Sequence, residues 1–247
     1  MILLGFDTET TGLDKQKDRI TEVGLVLYST AQNRILESVG FLVKDDVPIP
    51  EEVTKKTGIT QAALDRFGYD PGWAIEEFNR LGERADAILG HNVLRFDKPI
   101  LENASARLGT PLIQKPWVDT MLDIPGVKGE KLITMCAEMG FVFRAHGAVS
   151  DATSTIELVY RHAKDSPEKD FSKILERAKS PLVCIRSHQD RGNEANKTAR
   201  KLGFRWNGEM KIWWQVVKEV DLDAITKAAP FSISQLDKTI TPDMLWD

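Results

Sequence analysis

The sequence has little cysteine and no long apolar run. These two absences argue against a disulfide-rich protein and against a membrane-spanning one. Only Cys136 and Cys184 occur among 247 residues. Their spacing matches neither a disulfide framework nor a metal site, so we expect both thiols to be reduced and structural. No stretch approaches the apolar length that crosses a membrane. The N-terminus opens on a short strand-like run and predicts no secretory signal. The cytoplasm is the expected compartment, with no membrane partner.

Internal repeats and low-complexity segments are also missing. With 42% hydrophobic and 28% charged residues, the chain is long enough for one domain plus a smaller one. The net charge of −4 argues against a polyanionic partner only if the charge is spread evenly. It is not, because residues 180–220 carry eight Lys or Arg against four Asp or Glu. The sequence therefore predicts a basic C-terminal region beside an acidic remainder, whose carboxylates bound cations would partly offset.

A carboxylate pair follows the first apolar run. Residues 1–6 (MILLGF) are typical of a buried strand, and Asp7 and Glu9 come at its end. Two residues apart on an extended chain, the two side chains project from the same face and can reach one metal cluster. Taken alone, the pair is equally compatible with ordinary loop polarity.

A third carboxylate, Asp97, stands at a predicted helix start. Residues 87–90 (AILG) indicate a short strand, and residues 96–101 (FDKPIL) indicate the first turn of a helix that tolerates Pro99. Asp97 could serve only as the helix N-cap. A carboxylate at a helix start can also face a neighbouring strand end, so the metal-binding interpretation stays open.

The last motif combines His146 and Asp151. Residues 152–163 are predicted to form a helix with a packed apolar face, which Ser150 or Asp151 could cap. His146 lies five residues before Asp151, across the small Gly147-Ala148. Alone, such a histidine is commonly structural. Four carboxylates and one imidazole together suit metal-assisted hydrolysis, because carboxylates are hard ligands for Mg²⁺ or Mn²⁺ and histidine moves protons near neutral pH.

These motifs, in residues 6–13, 95–101 and 145–152, resemble those of the DEDDh 3′-to-5′ exonucleases, which include the proofreading epsilon subunit of bacterial replicative polymerase. The resemblance covers residues 1–165 and implies two Mg²⁺ or Mn²⁺ ions. It implies that Asp7 bridges the ions, that Glu9 and Asp151 hold the ion carrying the attacking water, that Asp97 serves the leaving-group side, and that His146 is the general base.

Two departures from the family pattern stand out. Many members carry histidine where this chain has Thr57, and residues 91–97 are one residue longer than in the epsilon-like pattern. The segment 118–121 matches a structural stretch of the family, so Asp119 is not assigned a catalytic role.

By the same resemblance, the substrate contacts are Thr10, Leu13, His91 and Asn92. Thr10 and Leu13 lie where the family meets the terminal nucleotide, and Leu13 would wedge against a base. The alternative for Leu13 is a place in the core. His91 and Asn92 would reach sugar or phosphate, or merely close a turn.

The resemblance implies an α/β fold, a ribonuclease H-like mixed sheet with an antiparallel start and flanking helices. The predicted domains are an exonuclease domain at 1–165, a linker with a connecting helix at 166–180, and a small α+β module at 181–247. In that module Trp206, Trp213 and Trp214 stand among basic residues. They could form its core or stack bases; because strand alternation separates Trp213 from Trp214, we expect one buried and the other exposed for binding.

The expected activity is hydrolysis from a free 3′ end that releases 5′-mononucleotides, with DNA as the first substrate, in repair, recombination or proofreading. One alternative is an exoribonuclease that trims short RNA, since the motifs read a phosphodiester and not the 2′ position. Another is a binding subunit of a polymerase assembly. The C-terminal module is expected to bind nucleic acid or a protein partner.

Overall fold

A computed structural model of the chain describes residues 1–124, 131–165, 171–188 and 192–246. The chain divides into two compact units, Met1–Ala178 and Lys179–Asp247. The described helices include none that is both long and apolar enough to cross a membrane.

The first unit is a five-stranded mixed sheet with helices on both faces. Its strands lie in the order β3-β2-β1-β4-β5. Strands β1, β2 and β3 pair antiparallel, whereas β4 pairs parallel to β1 and to β5. The elements in chain order are β1 (Ile2–Thr10), β2 (Ile20–Ser29), β3 (Arg34–Leu42), α1 (Glu51–Thr57), α2 (Gln61–Phe67), α3 (Pro71–Glu83), β4 (Ala87–Gly90), α4 (Asp97–Leu108), β5 (Trp117–Asp119), α5 (Thr120–Asp123), α6 (Leu132–Glu138), α7 (Ala148–Asp165) and α8 (Phe171–Ala178). The predicted α/β class with an antiparallel start is confirmed.

Strand β1 is central and buried on both faces, which explains its nearly continuous apolar sequence. Leu4 and Phe6 pack into the core that includes α3 and α4, while Leu3 packs into the core formed with α6, α7 and α8. Side chains alternate between the faces of a strand. The odd-numbered residues of β1 therefore face α7, and the even-numbered residues face α4.

Helix α7 begins at Ala148, four residues before the predicted start at 152. The Ala148 backbone N–H donates to the carboxylate of Glu22 on β2 over 3.0 Å. The side chain that meets the start of this helix comes from β2, so the prediction that Ser150 or Asp151 caps it is wrong. Asp151 instead lies within its first turn.

A glycine of β2 allows α7 to come this close to the sheet. A Cβ atom at Gly24 would lie 2.2 Å from the carbonyl carbon of Ala148 and 2.4 Å from the backbone nitrogen of Val149. Both are backbone atoms that cannot rotate away. Gly24 therefore fixes how near the first turn of α7 lies to β1 and β2.

We expect Gly24→Ala to destabilise the protein by about 3 kcal/mol, since overpacking against rigid atoms costs roughly 1–3 kcal/mol. The displaced first turn would also take Asp151 away from β1. Urea unfolding measures the first effect, and the rate of the hydrolysis expected from the sequence measures the second. Gly147→Ala is the matched control, because a Cβ at Gly147 would meet no atom within 4 Å. Equal stability of the two variants would contradict this account.

The predicted connecting helix is α8, and it belongs to the first unit. Ile174 is buried in the core beside α7, with Phe171, Leu175 and Ala178 packed around it. The described part of the predicted linker is thus a packed element of the unit that ends at Ala178. Residues 166–170 lie outside the described residues.

The second unit is a four-stranded antiparallel sheet in the order β7-β8-β6-β9, with helices. Its elements are β6 (Leu182–His188), α9 (Asn193–Lys201), β7 (Arg205–Asn207), β8 (Ile212–Lys218), a 3₁₀ turn (Glu219–Asp221), α10 (Leu222–Ala228), β9 (Ser232–Gln235) and α11 (Pro242–Trp246). Asn207 shapes the β7–β8 connection, where its side-chain oxygen accepts hydrogen bonds from the backbone N–H groups of Glu209 and Met210.

The two adjacent tryptophans of β8 do lie on opposite faces. Trp214 packs beside Cys184 and Val216, whereas Trp213 packs beside Ile185 and Phe204. Both are buried, so the prediction that one of this pair is exposed for binding is wrong.

Two apolar cores, one on each face of the small sheet, account for the burial of this pair. Of Trp206, Trp213 and Trp214, the exposed one is Trp206 on β7, with 51% of its surface accessible. Cys136 and Cys184 are both buried, and no disulfide joins them.

Candidate active site

The site is built at the end of β1. Asp7 and Glu9 share the face of β1 that α7 covers, because residues two apart on a strand point the same way. Glu9 is 9% exposed. It lies directly opposite Glu22 of β2 in the antiparallel pair. Two carboxylates in this cross-strand position repel each other, and a bound cation would relieve that repulsion.

Asp97 approaches β1 from the other face. Its side chain is 5% exposed, and one of its oxygens, Oδ1, accepts hydrogen bonds from the Thr8 backbone N–H (3.0 Å) and the Thr8 hydroxyl (2.7 Å). Phe96 occupies the N-cap position of α4. Asp97 is therefore not merely an N-cap; its carboxylate is anchored to the strand that carries Asp7 and Glu9.

Asp151 and His146 complete the group from the start of α7. Glu9, His146 and Asp151 each offer a ligand atom, and these three atoms lie within 4.8 Å of one another. The His146 backbone N–H donates to Asp151 Oδ2 over 3.3 Å. His146 is exposed and has a positive φ of 67°. The structure thus brings all five predicted catalytic residues to one edge of the sheet.

Burial raises the pKa values of all four carboxyl groups, and neighbouring negative charges add to the rise. Burial comes first for each, and it raises the pKa of Glu9 to about 7, that of Asp97 to about 7 and that of Asp151 to about 6. The pKa of Asp7 is raised well above its usual range by burial and then by the charges of Asp97, Asp151, Glu9 and Glu22. Without a cation this cluster resists carrying its full negative charge.

The metal-free protein should lose stability as the pH rises from about 5 to about 8. Carboxyl groups have pKa values near 4 in unfolded chains. A raised native pKa gives stability that is fully present below the unfolded pKa near 4 and is lost as the pH rises from there through the native values of about 6 and 7. The lowered pKa of His146 makes stability rise with pH, but this is one group against four carboxyl groups.

Urea unfolding in EDTA at the two pH values measures this loss. We expect added Mn²⁺ to restore stability mainly at the higher pH, and Asp7→Asn to reduce the pH dependence. A metal-free protein that becomes more stable over this range would contradict the electrostatic account.

The imidazole of His146 is kept neutral near pH 7. Its pKa is lowered, first by partial burial of the ring and second by the positive charge of Lys56. Lys56 lies in the last turn of α1. Its positive charge also offsets part of the rise in the pKa values of Glu9 and Asp151. A neutral histidine beside carboxylates can accept a proton, as a general base must.

The predicted substrate-side residues divide into two kinds. Leu13 is 80% exposed, so the alternative of a core position is wrong, and it is free to meet a ligand. Thr10 is buried, and its hydroxyl donates to the Gly12 carbonyl over 2.6 Å. His91 Nδ1 lies 2.7 Å from the Thr120 hydroxyl. Asn92 has a φ of 59° and donates its backbone N–H to Asp119. The contacts of these last three residues shape the loops beside the site.

Asp119 has a structural role in the loop that delivers Asp97. Its buried carboxylate accepts hydrogen bonds from the backbone N–H groups of Asn92 (2.9 Å), Leu94 (3.0 Å) and Met121 (2.9 Å). These bonds fix residues 91–96 between β4 and α4.

Three contributors to the site were not predicted from the sequence: Thr8, Glu22 and Lys56. Thr8 and Glu22 could have been found by applying strand alternation to the neighbours of Asp7 and Glu9. Lys56 carries no sequence signal for this role, because α1 is far from the motifs along the chain.

The donor set fits divalent cations. Carboxylate oxygens are the ligands that Mg²⁺ and similar hard cations prefer. Asp151 Oδ1 is buried and has no hydrogen-bond partner among the residues that the structure describes. An unpaired buried carboxylate oxygen is costly, and a cation bound by Glu9 and Asp151 would satisfy it.

Comparison with known proteins agrees with this arrangement. A protein-family model described as Exonuclease, RNase_T, matches residues 4–159. Among curated relatives, DNA polymerase III PolC-type from Mycoplasma pneumoniae is 31% identical over 170 residues, which is 66% of this chain and 11% of that protein. The chain spans 11% to 13% of the length of the PolC-type relatives compared.

Solved structures share the fold at low identity. E. coli Exonuclease I in complex with a dA16 oligonucleotide aligns with a TM-score of 0.55 and 17% identity, covering 76% of this chain and 48% of that one. The nuclease domain of 3′hExo, a DEDDh family member bound to rAMP, aligns with a TM-score of 0.55 and 20% identity, covering 67% and 92%.

Proposed function

Because the chain belongs to the DEDDh exonuclease family, we propose that it hydrolyses DNA from a free 3′ end and releases 5′-mononucleotides. The observation that carries the proposal is the convergence of Asp7, Glu9 and Asp151 with His146 at one end of β1. Asp97 joins them through Thr8. DNA is favoured because the curated relatives are named as DNA polymerases. The process served would be repair, recombination or proofreading.

The carboxylates would hold two ions, Mg²⁺ or Mn²⁺. Two divalent cations would neutralise charge at a phosphodiester and lower the pKa of water. Glu9 and Asp151 would hold one ion on the side of the attacking water, Asp97 would serve the leaving-group side, and Asp7 would lie between them. The raised pKa values of these carboxyl groups make cation binding favourable, since the ions relieve the repulsion.

His146 would accept the proton of the attacking water at a ring nitrogen. Its lowered pKa keeps the ring able to accept that proton at neutral pH. The bond that breaks joins phosphorus to the 3′ oxygen of the preceding nucleotide, which leaves a new 3′ hydroxyl. Leu13, exposed near the end of β1, would contact the terminal base.

The test uses the full chain with Mg²⁺ or Mn²⁺ and three 5′-labelled substrates of one sequence: single-stranded DNA, duplex DNA and RNA. We expect DNA to shorten stepwise from its 3′ end, with 5′-mononucleotides as products. A non-hydrolysable 3′-terminal linkage should block the reaction. Internal cleavage, or shortening from the 5′ end, would refute the proposal.

Two alternatives have distinct outcomes. Preference for the RNA strand would favour an exoribonuclease that trims short RNA; the structural neighbour bound to rAMP is the observation behind this candidate. Absence of hydrolysis on every substrate, with binding retained, would favour a binding subunit of a polymerase assembly. The complete set of four carboxylates and one imidazole argues against a protein without catalytic activity.

A further inference from the structure

The second unit contains an open concavity of about 870 Å³ that no part of the proposed reaction uses. Volumes of about 300–1,000 Å³ are typical of ligand sites. The described lining includes Arg186, His188, Arg200 and Lys211 and contains no carboxylate. A cavity lined by cations and by no described acid favours an anionic occupant.

An exposed indole ring forms part of the same lining. Trp206 on β7 is 51% exposed and lies opposite Trp213 of β8, with ring centroids 5.8 Å apart. The guanidinium carbon of Arg200 lies 5.6 Å from the centre of the Trp213 ring. The hairpin turn at Asn207 holds β7 in place. The concavity therefore presents a preformed aromatic surface beside positive charge.

Two basic side chains of the concavity are available to bind an anion. Arg200 and Lys211 form no ion pair with any residue that the structure describes, whereas Lys197 on the same helix as Arg200 pairs with Glu194 over 2.7 Å. Guanidinium and ammonium groups without an acidic partner can donate charge-assisted hydrogen bonds to phosphate oxygens.

We propose that this concavity binds single-stranded DNA, with the phosphodiester backbone on Arg200 and Lys211 and an unpaired base stacked on Trp206. Stacking on an indole requires a base that is not inside a duplex, which selects a single strand. The site reads no 3′ terminus. This proposal stands independently of the proposed reaction.

The test measures binding of the full chain to a circular oligothymidylate carrying a fluorescent label, by anisotropy in EDTA. A circle has no 3′ end, so binding to it does not report the hydrolytic site. We expect Trp206→Ala to weaken binding about tenfold, as for loss of one stacked base, and Trp206→Phe to retain most of it. Wild-type binding should weaken as salt increases.

Lys211→Gln and Lys227→Gln form a matched pair, since both remove one positive charge from the second unit. Lys227 is exposed on α10 and does not line the concavity. We expect only Lys211→Gln to lower the salt dependence, by about 0.7 in the logarithmic slope for one phosphate contact. This pair keeps the test valid if Trp206→Ala fails to fold. A wild-type protein that does not bind the circle, or equal effects of the two lysine changes, would overturn the proposal.

Discussion

Replacing Asp7 by asparagine is expected to reduce DNA hydrolysis by at least about a thousandfold, which corresponds to about 4 kcal/mol of transition-state stabilisation. Asp7 is the carboxylate whose pKa is influenced by the charges of Asp97, Asp151, Glu9 and Glu22 alike. An asparagine of nearly the same shape removes the charge that would hold the cations. Initial rates of mononucleotide release with Mg²⁺ or Mn²⁺ measure the effect.

The same substitution should stabilise the metal-free protein at about pH 8, because it removes one of four mutually repelling charges. This opposite effect on stability separates lost chemistry from lost folding. Asp223→Asn, on the exposed face of α10, is the matched control and should change neither quantity. Hydrolysis by Asp7→Asn at a rate near that of the unaltered protein would refute the assignment.

Replacing His146 by glutamine is expected to lower the hydrolysis rate by roughly 10²–10⁴, the usual contribution of a general base. A base must be unprotonated to act, so the rate of the unaltered protein should fall as the pH drops through the pKa of His146. That pKa is lowered by partial burial and by Lys56. The variant should lose this acidic limb of the pH–rate profile while it still binds Mn²⁺ with affinity close to that of the unaltered protein.

Lys56→Gln is the companion variant. Removing this cation should raise the pKa of His146 and move the acidic limb to higher pH, since Lys56 is one of the two causes of the lowered value. The geometry also offers a competing role, because a His146 ring nitrogen lies within 4.8 Å of ligand atoms of Glu9 and Asp151. If His146→Gln loses more than about tenfold in Mn²⁺ affinity, His146 is a metal ligand rather than the general base.

Local pattern was sufficient to predict the strands that carry the chemistry. The apolar run before Asp7 is typical of a buried central strand, and the two-residue spacing placed Asp7 and Glu9 on one face, as the structure has them. The strand at 87–90 was predicted with its observed bounds. These features depend on the two-residue period of a strand, which the sequence shows directly.

Helix boundaries and caps were less predictable. The start of α7 was placed four residues late, because its backbone N–H at Ala148 is satisfied by Glu22, a residue 126 positions away in the sequence. Likewise, nothing near Asp97 indicates that Thr8 anchors its carboxylate. Hydrogen bonds between distant segments leave no local pattern to find.

The sequence by itself determined the kinds of residue, their order and the face of β1 on which Asp7 and Glu9 lie, since these depend on neighbours along the chain. Only the tertiary structure decided that Asp97 and Asp151 approach that strand from its two faces, that Lys56 lies near enough to affect His146, and that Trp206 rather than Trp213 or Trp214 is exposed. The physical reason is that convergence and burial arise from packing between distant segments, and packing follows from backbone approach at positions such as Gly24.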